Sequence, residues 1–132
     1  MASLFEIPRY TPKIENFLED SFMEDICTLR TVLYRNLEYN PAKIALIEGD
    51  RHYSFIEFTQ RTRAMGNALL NLGLKKGDRV AILSKNSIEN AESYFSIPNA
   101  GLVLVMLNFR LAPREVLTIL EDSGASVFMV NQ

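Results

Sequence analysis

The first clear helical pattern of apolar residues covers residues 24–39. Apolar side chains recur there at intervals of three and four, which places them on one face of a helix. Pro41 predicts the end of this helix, because a proline disfavours the α conformation in the residue before it. The residues of the predicted apolar face are Ile26, Leu29, Leu33 and Leu37.

A second helix is predicted over residues 55–72. Ser54 occupies the position of an N-cap and Glu57 follows three residues later, which is the pattern of a capping box. Gly73 follows the last apolar residue, as is typical of a helix C-terminus. The predicted inner side consists of Phe58, Thr62, Met65, Leu69 and Leu72.

A β-hairpin is predicted between these two helices. Residues 44–47 are apolar and favour a strand, and residues 51–54 form the second short run. Gly49 and Asp50 lie between the two runs, and glycine accepts the positive φ that a tight two-residue turn requires.

Short apolar runs and helical patterns alternate in the second half of the chain. Three buried strands are predicted at residues 80–83, 101–107 and 126–130. A helix capped by Ser87 follows the first strand, and Pro98 is expected to end or kink it. The next helix begins at Pro113 and ends at Gly124. The predicted inner residues of these two helices are Ile88, Ala91, Tyr94 and Phe95, and Val116, Leu117, Ile119 and Leu120.

This order of elements predicts an α/β fold, in which a β-hairpin is followed by a parallel βαβαβ sheet with right-handed crossovers and flanking helices. We expect residues 1–23 to form an N-terminal arm that packs on something, since it contains several apolar side chains. We expect residues 24–132 to form one α/β unit. Its sheet is expected to be incomplete, because the chain ends two residues after a core strand.

Composition excludes several classes of function. The net charge is −2 and neither sign dominates a segment, so no field would attract nucleic acid. Cys27 is the only cysteine, which excludes an intrachain disulfide. The longest apolar run, residues 102–107, is far too short to cross a bilayer, and the N-terminus lacks a secretory signal. A cytoplasmic location is therefore expected.

The residues alone reveal no active site. The glycine turn at residues 73–77 lacks the spacing of a phosphate-binding loop, and we interpret it as a helix-to-strand connection. His52 has no evident partner for acid–base catalysis, and Cys27 is interpreted as a small apolar residue of a helix. Glu121 and Asp122 are adjacent carboxylates, but no partner for general acid–base work accompanies them.

Five sequence strings, in order, resemble the N-terminal part of the AMP-binding, adenylate-forming superfamily. They are NPAKIALI at 40–47, YSFIEF at 53–58, LGLKKGDRVAI at 72–82, NFRL at 108–111 followed by Glu115, and LEDSGA at 120–125. The NFRL string resembles the acyl-CoA synthetases within this superfamily. Two departures, Pro98 near a helix end and the lack of a proline before Asn108, indicate a divergent member.

The resemblance implies scaffold roles rather than catalytic ones for the matched residues. They are Tyr53, Ser54, Glu57, Gly77, Asp78, Asn108, Arg110, Asp122 and Gly124. It also implies that the parent enzyme uses ATP, Mg²⁺ and coenzyme A, and that it acts in fatty acid metabolism. The family's phosphate loop, which is rich in Ser, Thr and Gly and ends in Pro-Lys-Gly, and its catalytic lysine belong to later parts of the family's chain. We therefore expect no catalytic residue, metal ligand or cofactor site within these 132 residues.

Three hypotheses follow from this sequence. The chain is the N-terminal fragment of an acyl-CoA synthetase, inactive alone; or it is one half of a split synthetase; or it is a non-catalytic interaction module. The expected partner is the remainder of the synthetase, in the same or a separate chain. Exposed apolar faces also predict a homodimer or larger assembly.

Overall fold

A computed structural model describes residues 28–131 of the chain. The predicted arm at residues 1–23, Ile26 and Cys27 lie outside the described residues. Within them the elements, in chain order, are α1 (Leu29–Tyr39), β1 (Ile44–Glu48), β2 (Arg51–Ser54), α2 (Phe55–Asn71), β3 (Arg79–Leu83), α3 (Ile88–Asn99), β4 (Val103–Leu107), α4 (Pro113–Ser123) and β5 (Val127–Val130).

Helix α1 begins at a threonine cap. The side chain of Thr28 accepts a hydrogen bond from the backbone N–H of Thr31 and so satisfies one free donor of the first turn. Leu33 is buried and Leu37 is half-buried, as predicted. Leu29, on the same predicted apolar face, lies in the first turn of α1 and is 42% exposed.

The predicted hairpin is confirmed. Strands β1 and β2 are antiparallel, with Glu48 opposite Arg51 and a bulge between Ile44 and Leu46. Gly49 has a φ of 56°, which is the left-handed conformation that the tight turn requires. This turn brings Glu48 and Arg51 side by side.

Helix α2 begins at the predicted capping box. The backbone N–H of Ser54 donates to a carboxylate oxygen of Glu57 at 2.7 Å, and the hydroxyl of Ser54 accepts from the backbone N–H of Glu57 at 3.4 Å. Phe58 and Leu69 are buried as predicted. Leu72 is 71% exposed, so its assignment to the inner side is wrong: it is the C-cap and lies beyond the last regular turn.

The second sheet is parallel, with the strand order β4-β3-β5. Strand β3 is therefore central, and Val80 and Ala81 on it are fully buried. Because successive residues of a strand point to opposite faces, these two side chains belong to two separate apolar layers. The parallel βαβαβ arrangement predicted from the sequence is confirmed.

The two crossover helices cover opposite faces of this sheet. On one face Val80 and Ile82 pack with Leu69 of α2 and Ile97 of α3. On the other face Ala81 packs with Leu107 and with Val116 of α4. The strand order thus reverses at β3, with α3 on one side and α4 on the other.

Helix α3 lies between α2 and the sheet, and this position explains why its buried face contains small polar residues. Ser93 and Ser96 are almost completely buried. A Cβ atom added at Gly66 of α2 would lie 3.2 Å from the backbone oxygen of Ser96, so the two helices approach closely there. Tyr94, predicted to face inward, is 45% exposed, whereas the ring of the next residue, Phe95, packs edge-on against buried Phe58 of α2 at a centroid distance of 5.2 Å. The helix continues through Pro98 and ends at Asn99.

Helix α4 begins with Pro113 in its first turn, as predicted. The carboxylate of Glu115 accepts from the backbone N–H of Ala112 at 2.8 Å, and Gly124 ends the helix with a φ of 57°. Leu117 is 54% exposed, so its predicted burial is wrong: only the side of α4 that faces the sheet is covered. No helix among residues 28–131 is long and apolar enough to cross a membrane.

Candidate functional site

A polar crevice of about 360 Å³ lies at the carboxyl end of the parallel sheet. Its lining comes from the hairpin, from the segment between β3 and α3, and from the end of β5. In open α/β sheets, ligands bind outside the carboxyl ends of the strands, where the strand order reverses. The crevice lies at this position. Its lining residues are Glu48, Arg51, Lys85, Asn86, Ser87, Glu89 and Asn131.

One wall of the crevice is fixed by contacts between β5 and the start of α3. The backbone N–H of Asn131 donates to the carbonyl oxygen of Leu83 at 3.1 Å, and its side-chain amide donates to the hydroxyl of Ser87 at 3.1 Å. Ser87 also caps α3, since its hydroxyl accepts from the backbone N–H of Asn90 at 3.1 Å. The carboxyl ends of β3 and β5 are therefore joined through one serine.

The opposite wall is the hairpin, which charged groups hold against α3. Arg51 donates to Glu89 at 2.6 and 3.3 Å and pairs with Glu48 across the hairpin turn. The carboxylate of Glu48 also lies 3.5 Å from the backbone N–H of Ile88, at the positive end of the helix dipole. Two carboxylates and one guanidinium thus join the hairpin to the N-terminus of α3.

These contacts determine the ionisation of the crevice. The hydrogen bonds from Arg51 lower the pKa of Glu89 to about 2, with a further contribution from the backbone N–H of Glu89 itself. The same pair raises the pKa of Arg51, chiefly through its bond to Glu89. Near neutral pH Glu89 is therefore ionised and is not a proton donor. Lys85, with no ion pair within residues 28–131, is the free cation of the lining.

A second ion pair extends this arrangement into the protein. Glu92 of α3 is 4% exposed and receives two hydrogen bonds from Arg61 of α2, one of them at 3.2 Å. The guanidinium of Arg61 lies 4.6 Å from the ring centroid of Tyr53 and 3.9 Å from Glu89. The charged residues thus form a continuous network across β2, α2 and α3.

The first group of matched scaffold residues lies at the start of α2. The ring of Tyr53 makes a cation–π contact with the guanidinium of Arg61, and Ser54 and Glu57 form the capping box. The backbone and hydroxyl hydrogen bonds from Ser54 lower the pKa of Glu57. Of the nine matched residues, Tyr53 is the one connected to the crevice, through Arg61.

A second group lies at the opposite, amino end of the parallel sheet. The backbone N–H of Gly77 donates to the carbonyl oxygen of Gly101 at 2.8 Å, with Gly77 at a φ of 90°. The carboxylate of Asp78 accepts from the backbone N–H of Lys75 at 2.7 Å. Gly124 accepts from the guanidinium of Arg79 at 3.0 Å. These contacts close turns before β3 and after α4.

The remaining matched residues are dispersed. The side chain of Asn108 accepts from the backbone N–H of Arg110 at 3.0 Å in the turn after β4. The guanidinium of Arg110 is 5.4 Å from the ring centroid of Phe109. Asp122 and His52 are exposed on the surface. The nine matched residues therefore do not converge on one site.

The glycine turn at residues 73–77 does not have the form of a phosphate-binding loop. It lies at the amino end of the sheet. The backbone N–H of Lys75 in this turn already donates to the carboxylate of Asp78. Residues 28–131 contain no group of three or more His, Cys, Asp or Glu side chains that could hold a metal ion. We derive no catalytic step through a phosphate or a metal ion.

Reasoning from the sequence missed the crevice itself. Glu48, Arg51 and Glu89 come from three elements, and the pair Arg51–Glu89 spans 38 positions. The available signals were the Ser87 cap, which was predicted, and the polar run at residues 84–87 directly after an apolar strand. Such a run marks the carboxyl end of a strand but does not reveal which hairpin faces it.

Comparison with known proteins shows which family this chain resembles. A family model described as AMP-binding enzyme matches residues 33–132. The chain is 30% identical over 128 residues to 4-hydroxybutyrate–CoA ligase 2 of Metallosphaera sedula, covering 97% of this chain and 23% of that protein. The chain thus spans about a quarter of the length of this relative.

Two solved structures are similar to the fold described above. The anthranilate CoA ligase AuaEII, solved in complex with anthranoyl-AMP, matches with a TM-score of 0.75 and 36% identity, over 79% of this chain and 20% of that one. The o-succinylbenzoate coenzyme A synthetase of Bacillus subtilis, solved with ATP and a magnesium ion, matches with a TM-score of 0.71 and 31% identity, over 76% of this chain and 27% of that one.

Proposed function

Since this chain belongs to the family of AMP-binding enzymes, we propose that it forms the N-terminal part of an AMP-forming acyl-CoA synthetase. The match of the family model over residues 33–132 carries this proposal. The relatives named above are CoA ligases, and this chain covers 20–27% of the length of each. The acyl-CoA synthetase form of residues 108–111 supports the same assignment.

The proposed reaction of the whole enzyme has two steps. The carboxylate of an organic acid attacks the α-phosphate of ATP, which forms an acyl adenylate and releases pyrophosphate. The thiol of coenzyme A then attacks the acyl carbon, which forms the thioester and releases AMP. Mg²⁺ would neutralise phosphate charge in the first step. The residues that bind these groups would belong to the rest of the enzyme.

The proposed contribution of residues 28–131 is positional. The ion pairs of Arg51 and Arg61 hold the hairpin and α2 on α3, and Ser87 joins the ends of β3 and β5. The crevice between them, at the strand-order reversal, is the surface on which we place the rest of the synthetase. Phe128 and Val130 of β5, which are 42% and 55% exposed, offer it an adjoining apolar contact.

The acid that the enzyme activates is proposed only as a class. The relatives' names include 4-hydroxybutyrate, ferulate and hydroxybenzoates, which are short hydroxylated or aromatic acids. We propose a carboxylic acid of low molecular weight as substrate, with fatty acids as the alternative to be tested beside it. A cytoplasmic location, where ATP and coenzyme A are available, is part of the same proposal.

A split enzyme is the second candidate, and the open edges of the parallel sheet favour it. Strands β4 and β5 are the outer strands of the described sheet, and each presents backbone groups that another strand could pair with. In this case a separate chain would supply the ATP site. A homodimer formed through the same exposed surfaces is proposed for the isolated chain.

Reading the coding DNA beyond the codon of Gln132 tests the proposal and separates its two forms. The first form predicts that the frame continues into a segment rich in Ser, Thr and Gly that ends in Pro-Lys-Gly. A stop codon at this point would instead favour the split enzyme, with a partner gene that encodes this segment. A continuing frame without any such segment would contradict both forms.

A further inference from the structure

A groove of about 190 Å³ lies between α1, α2 and α3, on the side of α3 away from the parallel sheet. Its lining is mixed: buried Leu33 and exposed Leu70 lie beside polar residues, of which Thr59, Thr62 and Ser96 are buried. Gly66 has no side chain to fill the groove, and Asn67 lies beside it. Two arginines, Arg30 of α1 and Arg63 of α2, also line it, and we call it the arginine groove.

The two arginines are held by a tyrosine instead of a carboxylate. Arg63 donates two hydrogen bonds to the hydroxyl of Tyr34, at 2.7 and 3.1 Å. The guanidinium carbons of Arg30 and Arg63 lie 5.5 and 5.1 Å from the centroid of the Tyr34 ring. Within residues 28–131 neither guanidinium has an ion-pair partner. The groove therefore combines two leucines and several polar residues with two positive charges that have no carboxylate partner among residues 28–131.

The chain itself contains a segment of complementary character. Residues 14–25, IENFLEDSFMED, contain five acidic residues and no basic one. Apolar Ile14, Phe17, Leu18 and Phe22 are interspersed among the acids at intervals of one to four residues. Such a segment can place an apolar side chain against Leu33 and Leu70 and carboxylates on the flanking arginines.

The covalent connection between segment and groove is short. Residue 25 is three positions before Thr28, the cap of α1, and Arg30 lies in the first turn of α1. A short linker holds two binding surfaces at an effective concentration in the millimolar range, on the order of that for other short flexible linkers. A dissociation constant in the same millimolar range would therefore be enough to keep the segment bound about half of the time.

We propose that residues 14–25 bind in the arginine groove of the same chain and that Arg30 and Arg63 receive carboxylates of this segment. Among possible occupants this segment fits best, because it is both acidic and apolar and is tethered at the mouth of the groove. The proposal concerns residues 14–25 alone and does not depend on the enzymatic function proposed above.

A tryptophan reporter tests the proposal in the full 132-residue chain. The sequence contains no tryptophan, so Phe17→Trp gives a single indole signal from the segment. We expect emission at shorter wavelength, and weaker quenching by acrylamide, than in the same chain unfolded in urea. Changing both arginines (Arg30→Gln with Arg63→Gln) should increase the quenching. The equilibrium constant for binding of the segment to the groove, fitted from the quenching data, should fall about 2- to 5-fold for each arginine that is changed. This is the range for exposed ion pairs.

Arg35→Gln is the matched control, because Arg35 is exposed on the same helix and has no ion pair within the described part of the chain. It removes the same charge and should leave the quenching unchanged. Phe22→Trp provides a second reporter if Phe17→Trp unfolds the chain, as judged by circular dichroism. Solvent-like quenching with both reporters would overturn the proposal, and so would equal effects of all three arginine changes. Shielding that appears only at high protein concentration would overturn it in favour of a second copy as the occupant.

Discussion

At the residue scale, hydrogen bonds from neighbouring groups determine what the charged side chains of the crevice can do. Arg51 lowers the pKa of Glu89, and Ser54 lowers that of Glu57, so both carboxylates are ionised and paired near neutral pH. Neither is available as a proton donor. Glu89 instead holds the hairpin on α3, and Glu57 caps the start of α2.

Ser54→Ala is expected to destabilise the fold by about 0.5–2 kcal/mol, because it removes the side-chain acceptor at the N-terminus of α2. Urea unfolding followed by circular dichroism measures the change in free energy. The matched control is Ser126→Ala, at an exposed serine outside the helices, which should have little effect. An unchanged midpoint for Ser54→Ala would show that the capping box does not stabilise this chain.

The Glu89 pKa predicts a pH dependence with a definite sign. The folded pKa, about 2, lies below the ordinary value of 4.5, so the ionised form stabilises the fold above about pH 4.5 and this contribution is lost as pH falls toward 2. Because Glu89 and Arg51 are both partly exposed, we expect a difference of about 0.5–1 kcal/mol between wild type and Glu89→Gln at pH 7. Unfolding measured between pH 2 and 7 should show this difference shrinking only below pH 4.5. If wild type and Glu89→Gln were already equally stable at pH 6, the low pKa of Glu89 would be contradicted.

At the element scale, the pair Arg61–Glu92 connects α2 and α3 where an apolar contact would be expected. Its carboxylate is buried and its guanidinium is 37% exposed. Removing one partner of a buried pair leaves a charge without compensation, which costs more than removing both. The two helices therefore depend on this pair being complete.

Arg61→Met is expected to destabilise the chain by about 2–3 kcal/mol, less than for a fully buried pair because water reaches the guanidinium. The double change Arg61→Met with Glu92→Leu should cost less than Arg61→Met alone, since no charge is then left unpaired. Thermal and urea unfolding of the three chains measure both effects. If the double variant is the least stable of the three, the ion pair itself contributes net stability. That result would contradict the expectation that the unpaired charge of Glu92 causes most of the loss.

Helices, strands and their order were predictable from the sequence because caps, prolines and apolar spacing act locally. Ser54, Ser87 and Gly124 mark element ends by contacts within a few residues. Which side of a helix is buried was less predictable, as Tyr94 and Leu117 show, because burial depends on the neighbouring elements. The crevice could not be predicted for the same reason: its ion pairs join residues that are distant in sequence.

At the scale of the whole molecule, one apolar surface of the parallel sheet lacks a cover among the described residues. Phe128 and Val130 are opposite Ala81 and Leu83 and therefore lie on the α4 side of the sheet. Both are about half exposed, and Leu117 of α4 is 54% exposed. An apolar surface of this kind favours contact with another segment or another chain.

We predict that the isolated chain associates at high concentration through this surface. Replacing both strand residues (Phe128→Lys with Val130→Lys) should shift light scattering toward the monomer and reduce the binding of an apolar dye. Leu72→Lys is the control, because Leu72 is 71% exposed in the turn after α2 and lies outside this surface. Monomeric wild-type chain with no dye binding at any concentration would contradict the prediction.

Thioester synthesis tests the central claim most directly. Residues 1–132 would be assayed alone, and as the N-terminal part of a polypeptide that continues with the segment encoded after them. ATP, Mg²⁺, coenzyme A and a panel of aromatic, hydroxylated and fatty acids would be supplied. We predict equal amounts of AMP and acyl-CoA from the longer polypeptide with at least one acid, and no acyl adenylate from the isolated chain. Acyl adenylate formed by residues 1–132 alone, or a folded longer polypeptide that forms no AMP with any acid, would contradict this account.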